Sequence, residues 1–254
     1  MWIDTHCHLD APEFESDREQ VVHAALQAEV SAMVLPAVFI DNCRSLPSTP
    51  WSCCRVALGL HPIYIDSHHQ PEHLDELAQL VQQHRPIAIG EIGLDFFVDG
   101  LSQQKQIDFF VAQLKLAQRF DLPVILHVRR AQDQVLKYLR RHPVRGGIAH
   151  AFNGSPQQAA AFIELGFKLG FGGVMTFPRA RRVRELAGSL PLSALVLETD
   201  APDIPPEWDH HGRNQPAWLP RIAQVLAELR GGMPLAELAQ ALRHNSEAVF
   251  GPLP

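Results

Sequence analysis

The sequence lacks any apolar run near the roughly 18 residues needed to cross a bilayer. Its longest, Val30 to Ile40, is broken by Pro36. The start, Met1-Trp2-Ile3-Asp4-Thr5-His6, carries neither the basic nor the apolar stretch of a signal peptide. Cysteine is scarce: Cys7, Cys43, Cys53 and Cys54 show no C-x-x-C spacing, and adjacent Cys53 and Cys54 suit no ordinary disulfide. A reduced, cytoplasmic protein with no membrane association is expected. Basic residues are outnumbered, 22 against 28, for a net charge of −6, which excludes holding nucleic acid by a broad basic field. A charged share of 20 % beside 46 % hydrophobic residues excludes a disordered chain. Repeats and low-complexity tracts are absent, and nothing calls for an obligate protein partner. Against 2 tyrosines stand 14 histidines, a surplus that directs attention to metal.

Short runs rich in Val, Ile and Leu recur along the chain: Trp2–Ile3, Ala32–Val38, Val56–Leu60, Ile87–Ile89, Val124–Leu126, Gly147–Ala149, Phe167–Phe171 and Leu195–Leu197. Each is too short for a helix and reads as a strand buried on both faces. Helical patterns lie between them. Ser16-Asp17-Arg18-Glu19 has the form of a capping box, followed by a face of Val21, Val22, Ala25 and Leu26. Ser155-Pro156-Gln157-Gln158 offers a second box, closed by Gly166. Gln103 to Phe120 carries Ile107, Phe110, Val111, Leu114 and Ala117 on one stripe. The segment from Asp41 to Pro50 is short for a helix. Eight alternations predict an α/β fold, a (β/α)8 TIM barrel in one domain over 1–254. Two additional C-terminal helices between Pro216 and Phe250 are expected beside it. A doubly wound sheet is second choice, because the first strand lacks a G-x-G-x-x-G turn.

Barrels present their chemistry at the C-terminal ends of strands. Those ends here read His6-Cys7-His8, His61, Glu91 with Asp95, His127, His150, and Glu198-Thr199-Asp200. Side chains at i and i+2 of a strand point the same way, so His6 and His8 can converge on one ion while Cys7 faces away. With Glu91, His127, His150 and Asp200 they form a set able to hold two divalent cations, Glu91 bridging. The other nine histidines, His23, His68, His69, His73, His84, His142, His210, His211 and His244, read as surface residues.

These motifs also carry a resemblance. Asp4-Thr5-His6-Cys7-His8-Leu9-Asp10, Gly59-Leu60-His61-Pro62, Gly90-Glu91-Ile92-Gly93-Leu94-Asp95, the run Leu122 to His127, Ile148 to Gly154, and Leu197-Glu198-Thr199-Asp200-Ala201-Pro202 together are similar to the TatD family of metal-dependent deoxyribonucleases. The match runs in order over essentially the whole chain. It implies a TIM barrel with two divalent ions, Zn2+, Mg2+ or Mn2+, and hydrolysis of DNA phosphodiesters at single-stranded ends, often 3′→5′. It implies that His6, His8, Glu91 and Asp200 serve one ion, and Glu91, His127 and His150 the other. Val128 stands where many relatives have serine, a departure outside the ligand positions.

In the resulting mechanism Asp200 orients the attacking water and takes its proton, while Glu91 holds both ions. Two divalent ions outweigh Glu91 and Asp200, leaving a local charge of about +2 that receives a phosphate inside an acidic protein. Substrate contacts are expected from His61, Asp95, Arg129 and Arg179, with Arg130, Arg181, Arg182 and Arg184 near them. A base-stacking role for Phe96 or Phe97 competes with ordinary burial. Asp4 reads as a partner behind a ligand or a plain strand residue, and Arg213-Asn214-Gln215-Pro216 resembles a loop of the family near the mouth or is an ordinary turn before a helix. The competing functions are an amidohydrolase acting on an amide, ester or lactone, and a non-catalytic metal-binding barrel.

Overall fold

Runs of β-branched and aliphatic residues three to eight long pair best where both faces are covered, and all eight here do so. The computed structural model describes residues 1–66 and 69–254, so His68 lies outside the described residues. The strands are β1 (Trp2–Asp4), β2 (Val30–Pro36), β3 (Cys54–Leu58), β4 (Ala88–Asp95), β5 (Val124–Arg129), β6 (Gly147–Ala149), β7 (Phe167–Phe171) and β8 (Leu195–Leu197). They pair in sequence order, every pair parallel. Around them stand α1 (Arg18–Gln27), α2 (Ile40–Ser45), α3 (Glu72–His84), α4 (Gln103–Phe120), α5 (Gln132–Arg141), α6 (Pro156–Glu164), α7 (Arg181–Ser189), α8 (Leu219–Leu229) and α9 (Leu235–Phe250). This is a (β/α)8 TIM barrel. Its last seam closes just past β1, where Thr5 donates from its backbone N and its hydroxyl to the Leu197 carbonyl, at 3.1 and 2.9 Å. Among the described residues no helix is long and apolar enough to cross a membrane.

The two capping boxes expected from sequence part company. Ser155 accepts from Gln158 N at 3.1 Å and its own N donates to Gln158 Oε1 at 2.9 Å, so α6 begins as predicted. The Ser16 box does not form; α1 starts at Arg18 with Asp17 as its uncapped first neighbour. The reason is tertiary: both Asp17 oxygens accept from the Arg213 guanidinium, at 2.9 and 2.7 Å. Leu26 also leaves the predicted face and is 46 % exposed. After β2 the chain makes only six helical residues, α2, and then a 3-10 turn at Leu46–Ser48.

The C-terminal helices also differ from expectation. α8 is the eighth crossover helix, packed on α7 and β1, and only α9 exceeds the eightfold pattern. Rather than lying beside the barrel, α9 closes its floor. Phe250 packs against three small clusters whose strand residues come from β1 to β6 and β8, among them Ile3, Val34, Ala57, Ala88, Ile125 and Val196. A single ring reaches so many strands only near the barrel axis. His69 is a further correction to the surface set: it is fully buried, its ring stacked 5.9 Å from Phe109, and burial holds its pKa down near about 4.

Phe250→Ala is expected to cost roughly 2–4 kcal/mol, at or below the low end for a buried Phe because this ring is only partly covered. Thermal unfolding measures it, and an unchanged Tm would show that the floor does not depend on this ring.

Candidate metal centre

The site is assembled from six strand ends. His6 and His8 lie just past β1 rather than inside it. The alternation survives because the backbone stays tied on both sides: Cys7 N donates to Val34 O (3.0 Å), His8 N to Ala201 O (2.7 Å), and Asp200 N to His6 O (2.8 Å). Cys7 is therefore turned into the core, fully buried. Glu91 sits within β4 and is 2 % exposed. β4 passes tightly against β5 at Gly93, which has φ +150° and where a Cβ would fall 1.9 Å from the His127 carbonyl oxygen. That approach brings His127, inside β5, over Glu91.

The two oxygens of Glu91 divide the donors between them. Oε2 faces His6 Nε2 at 3.1 Å and His8 Nε2 at 3.6 Å. Those nitrogens lie 3.1 Å apart and stand 3.4 and 3.7 Å from Asp200 Oδ1. A tetrahedral ion with ligands at roughly 2.0–2.1 Å separates them by about 3.3–3.4 Å, so these spacings fit one cation. Oε1 faces His150 Nε2 at 3.0 Å, His127 Nδ1 at 3.1 Å and His61 Nε2 at 3.3 Å. Three overlapping triads, His6–Glu91–His150, His6–His8–Asp200 and His61–Glu91–His127, each gather their donor atoms within 4.8 Å. Imidazole and carboxylate donors together suit Zn2+ or Mn2+.

Hydrogen bonds behind the rings separate His127 from His61. His127 Nε2 meets Asp95 Oδ2 at 2.9 Å, which places the proton there and leaves the Nδ1 lone pair toward the centre. His61 Nδ1 accepts from Ile63 N at 3.2 Å, so in the neutral ring its Nε2 carries a proton into the site. One ring thus offers a lone pair and the other a donor.

Burial and neighbouring charge then act against each other. Burial drives His6 down and takes His61 to about 4. Burial also opposes a charged His8, but its hydrogen bond and charge attraction to Glu91 prevail and take it up to about 9. His150 is likewise raised against its burial, by the charges of Glu91 and Asp200. Glu91 is held well below the usual carboxylate range because the surrounding imidazoles outweigh its burial. Without cations, protons balance the carboxylates.

Supporting residues fix these groups. Asp4 is fully buried and accepts from His6 N (3.3 Å), Thr199 N (3.0 Å) and Thr199 Oγ1 (2.6 Å), locking the β1 and β8 ends together without touching a ring. Asp200 holds φ +60°, a conformation maintained against strain by its surroundings. Asn214 clamps that loop by donating to Thr199 O, Asp203 O and Ile204 O. Glu198 is buried behind His150, 3.6 Å from its Nδ1, against a glycine wall at Gly170. Two buried glutamines of α4 complete the frame: Gln106 exchanges two hydrogen bonds with the Asp95 backbone, and Gln113 two with Leu60. Above lies a cavity of about 720 Å3.

A family model described as TatD related DNase matches residues 3–251. The chain belongs to the TatD family. It is 42 % identical to the Escherichia coli K12 protein described as uncharacterized metal-dependent hydrolase YjjV, over 98 % of this chain and 97 % of that one. The crystal structure of E. coli YjjV superposes with a TM-score of 0.95, covering 99 % of this chain and 98 % of that chain at 41 % identity. A protein of Erwinia billingiae named 3′-5′ ssDNA/RNA exonuclease TatD is 34 % identical over 98 % of both chains. The chain is accordingly a metal-dependent hydrolase of the TatD family.

Of the residues singled out from sequence, the TatD-family barrel brings together His6, His8, Glu91, His127, His150 and Asp200, and adds His61 to them. Asp95 lines the cavity, is turned to His127 through Oδ2, and accepts from Phe97 N and Val98 N through Oδ1, so it positions a ring and a turn. Arg129 lines the cavity. Arg179 does not; it lies over Phe177 with its guanidinium 5.4 Å from the ring centre. Arg184 is spent on the Met175 carbonyl at 2.8 Å. His210 and His211 stack on each other, exposed and outside the cavity lining. Sequence reasoning named Glu198 and Asn214 without assigning them these roles, and missed Gln106 and Gln113. The two glutamines did leave a signal, being polar residues seven apart on the face that carries Phe110.

Two outcomes follow from this geometry. Asp95→Asn is expected to weaken divalent-metal binding by about 10–100-fold in a metal titration, with unchanged affinity excluding His127 as a ligand held through Nδ1. Cation binding must also displace protons from His8, His150 and His127, all three raised by the neighbouring carboxylates, whereas His6 and His61 are already neutral at pH 7. Metal affinity is therefore expected to rise with pH up to about 9, and a pH-independent affinity would contradict proton release.

Proposed function

We propose that this protein is a two-metal nuclease that removes nucleotides from single-stranded DNA ends in the 3′→5′ direction. One observation carries the reading: a single buried carboxylate, Glu91, presents each of its oxygens to a separate set of donors. His6, His8 and Asp200 would hold one divalent cation with Glu91 Oε2; His127 and His150 would hold the second with Oε1. Zn2+, Mn2+ or Mg2+ is proposed. When bound, such a pair supplies positive charge to phosphoryl oxygens and makes a nearby water easier to deprotonate.

The protein's own groups complete the reaction. Asp200, one oxygen of which lies 3.4 Å from His6 Nε2, orients the attacking water and accepts its proton. His61, with its Nε2 proton facing the centre, donates to a phosphoryl oxygen. Asp95 and Glu198 keep the His127 and His150 rings in place. Support for nucleic acid as substrate comes from the exonuclease names of the Erwinia relatives, at 34 % and 32 % identity.

The test is shortening of end-labelled single-stranded DNA with Zn2+, Mn2+ or Mg2+, with and without chelator. Metal-dependent loss of nucleotides from the 3′ end is expected. Glu91→Ala should empty both sites, seen as loss of bound metal, and reduce cleavage by at least 10^3-fold, in keeping with loss of a main electrostatic contribution. Wild-type turnover in Glu91→Ala would refute the two-metal reading. Hydrolysis of esters or amides with no action on DNA would replace it with an amidohydrolase.

A further inference from the structure

The mouth of the cavity is lopsided in charge. On the β1 and β8 side it is lined by Asp10, Glu13 and Asp203. Among its described lining residues the single Lys or Arg is Arg129, on the opposite side at the end of β5. A polyanion that reaches the metal centre is repelled on one side and received on the other.

The receiving side is built, not merely charged. Phe97 is 41 % exposed. The Arg129 guanidinium lies over it, 3.7 Å from the ring centre, and that of Arg130 at 4.5 Å. Consecutive side chains on a strand point to opposite faces. Arg130 escapes that rule because its φ is +53°, a left-handed turn that costs a non-glycine residue and is kept where neighbours enforce it. Two adjacent arginines are thereby laid on one ring. The ring itself is indexed to the metal centre: Asp95 accepts from Phe97 N at 2.8 Å and holds His127 at 2.9 Å with its other oxygen. Phe96 N donates to Arg129 O at 2.9 Å, tying the two loops together.

We propose that Arg129, Arg130 and Phe97 form the seat for the nucleotide next to the bond being cut, the guanidinium planes stacking on its base and donating to its phosphate. This rests on the nuclease reading above. A free arginine loses rotamer freedom when it grips a phosphate; one already laid on an aromatic ring loses less. Phe97 thus acts as a positioning residue for both arginines. The seat reads no base edge, so it accepts every base and favours strands whose bases are unpaired.

The experiment measures binding of a labelled, cleavage-resistant phosphorothioate single strand by fluorescence anisotropy across salt concentrations, with bound metal assayed in each variant to show that the centre is intact. Phe97→Ala is expected to weaken binding roughly tenfold, within the range for loss of one stacking support. Arg129→Ala with Arg130→Ala should lower the log–log salt slope by about 0.7, the value for one neutralised phosphate on a single strand. Arg129→Lys with Arg130→Lys separates stacking from plain charge: the slope should persist while affinity falls. Wild-type affinity in the lysine variant overturns the stacked seat. Cleavage by the wild-type protein with all variants at wild-type affinity also overturns it and leaves the nuclease reading intact. Binding that depends on the seat without any cleavage does the reverse.

Discussion

The buried carboxylate of Glu91 is the constraint on which the rest of this structure depends. An isolated carboxylate taken out of water costs many kcal/mol, and it persists only where opposite charge or strong donors meet it. Five imidazoles provide that here, brought from the end of β1, from β5, the turn after β3, and the end of β6. No short segment could supply them, since each strand end presents one or two inward side chains. A closed parallel barrel supplies eight such ends around one axis. The fold is therefore not a neutral support for the site; its closure at Thr5 and Leu197 is what sets His6 opposite Glu91.

A second layer of hydrogen bonds converts that crowd of rings into distinct roles. His127 and His61 both point a nitrogen at Glu91 Oε1, at 3.1 and 3.3 Å, and distance alone does not distinguish them. Their far nitrogens do: one gives a proton to Asp95, the other takes one from a backbone N–H. On the proposed reading, the positions of two protons, fixed by Asp95 and by Ile63 N, would decide which ring offers a lone pair to a cation and which a proton to a phosphate. The same economy runs through α4, where Gln106 and Gln113 hold the Asp95 and Leu60 backbones.

Much of this was legible from sequence because its causes are local. β7 and β8 lie at the predicted residues, α4 spans Gln103–Phe120 as read, and the Ser155 box caps α6 because both its partners sit three residues apart. The clustering of His6, His8, Glu91, His127, His150 and Asp200 followed from where strand ends fall. What failed depends on partners far along the chain. The Ser16 box resembles the Ser155 box, yet Asp17 is claimed by Arg213, 196 residues away. Phe250 plugs the barrel floor, though its helix pattern gives no hint of which end it meets. Arg129 and Arg179 are equivalent as basic residues after a strand, and only the three-dimensional mouth separates them.

That separation changes what the net charge of −6 means. Overall acidity disfavours indiscriminate adherence to nucleic acid, whose affinity grows with every phosphate neutralised. It leaves attraction to two places: a centre whose cations would outweigh Glu91 and Asp200, and one rim where Arg129, laid over Phe97, lines the opening. The acidic rim of Asp10, Glu13 and Asp203 then has a role of its own. On the proposed nuclease reading, repulsion from that side would steer a backbone toward Arg129 on the opposite rim, without any contact that reads the sequence of bases.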